Sequence, residues 1–93
     1  MSNYKITKYT YEKAKELGLT VNVSKFPLKK LDVYKNDLYL ASIGDSKYMD
    51  YPNYCILYNK VYADRRRELY HNRHKKNSDV KYSKQWLALN LLW

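Results

Sequence analysis

The side chains best suited to binding chemistry are the four arginines, which all lie within nine residues of one another. A guanidinium group is a planar fork of N–H donors that can hold a phosphate or carboxylate through two hydrogen bonds, which a lysine ammonium cannot do. Lysines are scattered along the whole chain, and a protein encoded by an AT-rich genome would show this without any functional reason. An AT-rich genome does not explain why the arginines are clustered. These arginines are Arg65, Arg66, Arg67 and Arg73.

The segment around these arginines, residues 60–76, is strongly basic. It carries seven Lys and Arg side chains against one Asp and one Glu, and the whole chain has a net charge of +9. Such a balance favours polyanions: nucleic acid first, an acidic membrane surface second and an acidic protein third. We therefore expect a nucleic-acid partner, DNA in the first instance, contacted mainly through its phosphates. The expected binding residues are Lys60, Arg65, Arg66, Arg67, Tyr70, Arg73, His74, Lys75 and Lys76.

Helical geometry limits how many of these residues can face one partner. Arg66 and Arg73 are seven residues apart and share a face, whereas the other two arginines point elsewhere. Asp64 and Glu68 lie within one turn of several basic residues, so ion pairs worth a few tenths of a kcal/mol are an alternative explanation of the pattern. Three interpretations of the basic helix therefore stay open: phosphate binding, a solvated charged face and binding to an acidic protein.

Tyrosine is abundant, with twelve copies in 93 residues. Tyr62, Tyr70 and Tyr82 are interleaved with the basic residues and could stack on unpaired bases. Their spacing also matches helix packing, so positions in the core or at its rim are the simpler interpretation.

Metal binding and catalysis find little support in the sequence. His71 and His74 are three residues apart, but a structural zinc site needs four ligands, usually including cysteines, and the single cysteine, Cys55, is distant. Asp45 and Asp50 are explained as turn and cap residues rather than as a catalytic pair. We expect no catalytic residue, metal or cofactor, and hence a protein that is not an enzyme.

The first half of the chain predicts a short helix and a small antiparallel sheet. Thr10 is a candidate N-cap for a helix over residues 11–17, which Gly18 ends. Alternating valines indicate an edge strand over residues 20–24. A hairpin follows over about residues 30–43, and its connection contains Asn36 and Asp37, which tolerate positive φ.

The second half predicts helices. Asp50 and Pro52 suit the start of a helix near Tyr51 that runs on into the basic segment. Asn59 is expected to interrupt it by adopting the left-handed conformation. Residues recurring at three- and four-residue steps predict one aromatic-to-basic face: Tyr54, Tyr58, Val61, Tyr62, Arg65 and Leu69.

The last helix is expected over residues 84–92, capped by Ser83 and preceded by a loop at 77–79. It is apolar nearly all round and should be buried. Trp86 and Trp93 are candidates for docking onto a partner, including a second copy of the chain.

Length and composition set the overall expectations. A chain of 93 residues predicts a single domain over residues 1–93. Its class is α+β: a small antiparallel sheet packed with a short N-terminal helix, a long basic helix and an apolar C-terminal helix. A lone cysteine suits a reducing compartment, and no apolar run is long enough to span a membrane, so we expect a protein that is not secreted and lies inside a cell or a particle.

Six ordered segments carry a resemblance to a known family, with x for an unspecified position: DVYKN (32–36), ASIGD (41–45), YxDYPxY (48–54), YADxRRxLY (62–70), RHK (73–75) and LLW (91–93). They resemble short, basic, tyrosine-rich proteins of unassigned activity encoded by large DNA viruses and some phages. The chain departs from that pattern at Asn59, where the family often has glycine, and at 80–84, where the family has a glycine-bounded turn.

The resemblance implies a viral gene product, present in a host cell or inside the virus particle. Together with the basic segment it predicts a non-enzymatic nucleic-acid-binding protein, associated with the genome in the virion. The alternative is a minor capsid or other virion structural protein, whose basic helix would bind acidic surfaces of neighbouring particle proteins.

Overall fold

The structure, a computed structural model, describes residues 2–75 and 80–93. These residues form two compact units, which we call unit 1 (up to Tyr48) and unit 2 (from Met49). Within the described residues, four helices and a three-stranded antiparallel sheet confirm the α+β class. The elements are α1 (Lys8–Glu16), β1 (Thr20–Val23), β2 (Lys29–Lys35), β3 (Leu38–Asp45), α2 (Tyr51–Leu57), α3 (Lys60–His74) and α4 (Lys84–Leu91). The single domain expected over residues 1–93 stays a prediction.

The sheet of unit 1 has the order β1-β2-β3 and places β1 at one edge, as predicted. The hairpin between β2 and β3 is also confirmed. Its two connecting residues, Asn36 and Asp37, have φ of 49° and 67°. Two successive residues at positive φ match the twist of flanking strands, so the local sequence closes this hairpin. One face of the sheet is apolar and buried: Val21, Leu31, Val33, Ala41 and Ile43.

Helix α1 begins earlier than predicted, and the expected Thr10 cap was wrong. Thr7 is the N-cap, and its Oγ1 accepts a hydrogen bond from the backbone N–H of Thr10 at 3.3 Å. Thr10 instead lies inside the helix and is fully buried. Two threonines three residues apart are both acceptable caps, so burial decided between them. The predicted stop at Gly18 is confirmed by its φ of 70°.

The second face of the sheet carries a buried carboxylate. Asp32 on β2 accepts hydrogen bonds from the hydroxyl of Ser24 at 2.7 Å, the hydroxyl of Ser42 at 2.5 Å and the backbone N–H of Lys25 at 3.1 Å. Burial raises the pKa of Asp32, but these hydrogen bonds outweigh it and hold the pKa below its ordinary value. The ionised Asp32 thus ties β3 and the turn after β1 to the central strand.

Unit 2 contains three helices. Helix α2 begins at Tyr51 as predicted, with the Asp50 side chain accepting from the N–H of Asn53 at 3.2 Å. The predicted break at Asn59 is confirmed, but its expected left-handed conformation was wrong. Asn59 is extended, with φ of −163°, and its side chain accepts from the N–H of Tyr62 at 2.8 Å. It starts α3 as an N-cap rather than ending α2.

This break makes the predicted continuous face wrong, because a new helix starts with a new rotational phase. The fully buried residue of α3 is Ala63, which was not part of the predicted face, and Val61, which was part of it, is 81% exposed. Five residues of α3 are half-buried: Asp64 next to Ala63, and Arg66, Arg67, Tyr70 and His74 at three, four, seven and eleven residues beyond it.

The apolar last helix is confirmed as α4, ending one residue earlier than predicted. The Ser83 hydroxyl accepts from the N–H of Trp86 at 3.2 Å, and the helix buries its leucines. Just before it, Tyr82 has φ of 68°, in the left-handed region that few residues other than glycine adopt. The predicted loop at 77–79 lies outside the described residues.

We expect Asp32→Asn to lower the free energy of unfolding by about 2 kcal/mol, because a neutral amide cannot satisfy three donors at once. The lowered pKa adds a pH dependence. Its stabilising contribution is present above the unfolded-state pKa of 3.8 and is lost as the pH falls through the lower folded value. Urea unfolding at neutral and acidic pH measures both effects. Asp45→Asn, at an exposed turn, is the matched control, and equal losses in the two variants would contradict the prediction.

Candidate nucleic-acid interface

The basic helix is organised around the carboxylate of Asp64. It accepts hydrogen bonds from the Tyr51 hydroxyl at 2.8 Å, from Lys60 Nζ at 2.9 Å and from Arg67 Nη2 at 3.4 Å. The Arg67 guanidinium also lies over the Tyr51 ring, with its central carbon 4.1 Å from the ring centroid. Asp64 therefore joins α2 to α3 and neutralises two of the predicted binding residues.

The pKa shifts of the two acidic partners agree with this geometry. The hydrogen bonds from Lys60 and from Tyr51 lower the pKa of Asp64 below its ordinary value. Burial, reinforced by the hydrogen bond to Asp64, raises the pKa of the Tyr51 phenol well above its ordinary value. Asp64 therefore stays ionised and Tyr51 stays neutral over the whole physiological range.

A second ion pair occupies Arg65 on the outer side of α3. Arg65 Nη1 lies 3.5 Å from Glu68 Oε2, and both side chains are exposed. An exposed pair of this kind contributes about 0.5 kcal/mol or less. The helical ion pairs that offered an alternative explanation of the charge pattern are thus present at Lys60, Arg65 and Arg67.

Arg66 and Arg73 are different. Among residues 2–75 and 80–93, no carboxylate lies within ion-pair distance of either guanidinium. Arg66 lies over the ring of Tyr54, 5.4 Å from its centroid, and Arg73 is exposed. Their spacing of seven residues puts both on one side of α3, together with Tyr62. This side is the part of the helix that can offer charge to a partner.

The remaining predicted residues lie near the end of α3. His74 packs on Tyr70, with ring centroids 4.2 Å apart. Lys75 is exposed at the C-terminus of the helix, and Lys76 lies outside the described residues.

The two tryptophans proposed for docking both have partners within unit 2. Trp93 is stacked on Tyr70, with centroids 4.2 Å apart and ring planes 8° apart. Trp86 meets Tyr82 edge to face at 5.2 Å. Both tryptophans are half-buried rather than exposed. Docking onto a partner therefore stays a prediction, and any partner would meet rings that are already packed.

Two groupings of residues were missed from the sequence. Tyr51 was assigned only to the start of a helix, yet it anchors Asp64 thirteen residues later. Tyr54 was assigned to a helix face, yet its ring holds Arg66. The only hint in the sequence was the pair Tyr51 and Tyr54, which are three residues apart at the start of α2 and so lie on one face of that helix. Spacing within α2 cannot show which residues of α3 these two tyrosines contact.

No three His, Cys, Asp or Glu side chains of the described residues lie close enough together to hold a metal ion. His71 Nε2 instead lies 3.4 Å from the backbone oxygen of Trp93. Of the helices that the structure describes, none is both long enough and apolar enough to cross a membrane.

Comparison with known proteins adds no assignment. No protein-family model, curated protein or solved structure matches this chain.

We expect Tyr51→Phe to lower the free energy of unfolding by about 1–2 kcal/mol, because Asp64 loses a hydrogen-bond donor. The raised pKa of Tyr51 means that its stabilising contribution is complete below the ordinary value of 10.0 and is lost as the pH rises above it. The loss of stability above that pH should therefore be smaller in the variant. Chemical denaturation at neutral and alkaline pH tests this. Tyr48→Phe, at an exposed position of unit 1, should change little, and similar curves for all three proteins would refute the assignment.

Proposed function

We propose that this protein binds nucleic acid without catalysing a reaction, and that it does so through phosphate contacts from one side of α3. The observation that supports the proposal is the pair Arg66 and Arg73, two guanidinium groups on the same side of the helix that no described carboxylate neutralises. Paired N–H donors of this kind hold phosphate through two hydrogen bonds.

Charge and spacing support the same conclusion. Unit 2 contains nine Lys and Arg against four Asp and Glu, and it holds all four arginines. Seven residues of α-helix rise about 10 Å, which equals about three steps of the axial rise between phosphates of one strand in a duplex. The site is thus shaped for a chain of phosphates rather than for a single anion.

The source of the nucleic acid is proposed from the family resemblance alone: a viral genome, met in the host cell or in the particle. In the rival role, as a virion structural protein, the same two arginines would pair with carboxylates of a capsid protein. Both roles depend on charge, so each has its own test. Direct binding to naked nucleic acid at low salt supports the first role, and co-purification with capsid shells emptied of genome supports the second.

We expect Arg66→Gln/Arg73→Gln to weaken nucleic-acid binding at least tenfold, because two charge-assisted contacts are removed. The slope of log affinity against log salt should fall in magnitude by about 2 for duplex DNA, at about 0.9 per phosphate contact. Fluorescence anisotropy over a salt series measures both quantities. A lower affinity together with a smaller salt slope identifies phosphate contact by these two arginines.

The matched control is Lys5→Gln/Lys15→Gln, which removes the same charge from exposed positions of unit 1. Arg66→Lys/Arg73→Lys keeps the charge, so lost affinity there would show that the two-bond geometry matters. Equal weakening in the control and in the arginine-to-glutamine variant would reduce the effect to net charge. Absence of binding by the wild-type protein at low salt would overturn the proposal and favour the structural role.

A further inference from the structure

Six rings form a continuous row in unit 2. Tyr58 and Tyr62 have centroids 4.9 Å apart, and Tyr62 lies 5.7 Å from Tyr54. The row continues from Tyr54 to Trp93 at 6.1 Å. It ends with the stacked Trp93 and Tyr70, and with His74 beyond them. The rings come from α2, α3, the break between these helices and the end of the chain, so no single helical repeat produces the row.

This row is not part of the core of unit 2. None of the six rings belongs to a buried residue, and the two at its start, Tyr58 and Tyr62, are 60% and 43% exposed. The core is made by other residues, including Ala63 and the leucines of α4. Packing therefore accounts for the half-buried rings at the far end of the row but not for the open pair at its start.

The open end of the row lies beside the uncompensated arginines. Tyr62 precedes Arg66 by one helical turn and Arg73 by three turns, so the three share one side of α3. The Arg66 guanidinium lies directly over Tyr54, the third ring of the row. The open ring of Tyr62 and the guanidinium groups of Arg66 and Arg73 thus follow one another over about 16 Å of helix.

We propose that this surface binds unpaired nucleic acid, with bases stacking on Tyr58 and Tyr62 while Arg66 and Arg73 hold the flanking phosphates. The inference rests on the proposed nucleic-acid binding and names the form of the ligand. Every base has a face that can stack on an aromatic ring, so such a surface is tolerant of sequence. In a duplex those faces are covered by neighbouring base pairs, so only the arginines would have contacts to make.

Two other occupants are less suited to the surface. A second copy of this chain would bring a net charge of +9 against an arginine-bearing side of the same sign. An acidic protein could form ion pairs with the arginines, but its carboxylates would not stack on the exposed rings of Tyr58 and Tyr62. An unpaired polynucleotide supplies both flat base faces for the rings and phosphates for the arginines along one strand.

The test compares oligodeoxythymidine with a hairpin duplex carrying the same number of phosphates, by fluorescence anisotropy at matched salt. Wild-type protein should bind the unpaired strand at least tenfold more tightly. Tyr58→Leu/Tyr62→Leu should lose about tenfold or more for the unpaired strand and leave duplex binding unchanged, because leucine keeps apolar volume but cannot stack on a base. Tyr58→Phe/Tyr62→Phe keeps the rings and should retain the preference.

Tyr11→Leu, at an exposed tyrosine of unit 1, is the matched control. Equal wild-type affinity for both ligands, or equal binding by the leucine and phenylalanine variants, would overturn the inference while leaving phosphate binding intact. The stacking inference would also be overturned, with phosphate binding intact, if Arg66→Gln/Arg73→Gln weakened binding of both ligands and the tyrosine variants weakened binding of neither. A wild-type protein that binds neither ligand would overturn the stacking surface and the proposed function together. Circular dichroism of each variant shows whether lost binding reflects lost folding. If the leucine variant unfolds, the wild-type comparison of the unpaired strand with the duplex still tests the inference.

Discussion

The arrangement of unit 2 depends on one carboxylate, that of Asp64. It takes hydrogen bonds from a buried tyrosine on α2 and from two basic residues on its own helix. Because the ionised Asp64 accepts several hydrogen bonds, Lys60 and Arg67 donate to it and stabilise the fold. The arginines that remain available are Arg66 and Arg73, which are paired with neither Asp64 nor Glu68 in the described residues. These two acids thus determine which part of a strongly basic helix can meet a ligand.

The break between α2 and α3 has a second consequence for the surface. In a continuous helix, Tyr54, Tyr58 and Tyr62 would follow one another at four-residue steps along a single stripe. With Asn59 capping a new helix, Tyr54 on α2 instead faces Tyr62 on α3 at 5.7 Å, and Tyr58 lies 4.9 Å from the same ring. The break gathers the three rings into a cluster, with Arg66 against one of its members.

Features controlled by neighbouring residues could be predicted from the sequence. The hairpin followed from Asn36 and Asp37, and the starts of α2 and α4 followed from Asp50 and Ser83, because turns and caps are formed within a few residues. Features that depend on distant partners could not. The start of α1 was decided by the burial of Thr10, and the buried side of α3 was decided by contacts of Ala63 that its own periodicity does not contain.

The same distinction applies to the candidate site. Clustering of arginines points to one helix, but it gives only an upper limit on the charges available for binding. An arginine that stabilises the fold and one that contacts a ligand look alike in sequence. Separating them required knowing that Tyr51 and Asp64 meet, thirteen residues apart and on different helices. In a small basic protein with few acids, each acid removes specific cations from the binding surface. The positions of Asp64 and Glu68 are therefore as informative about the ligand as those of the arginines themselves.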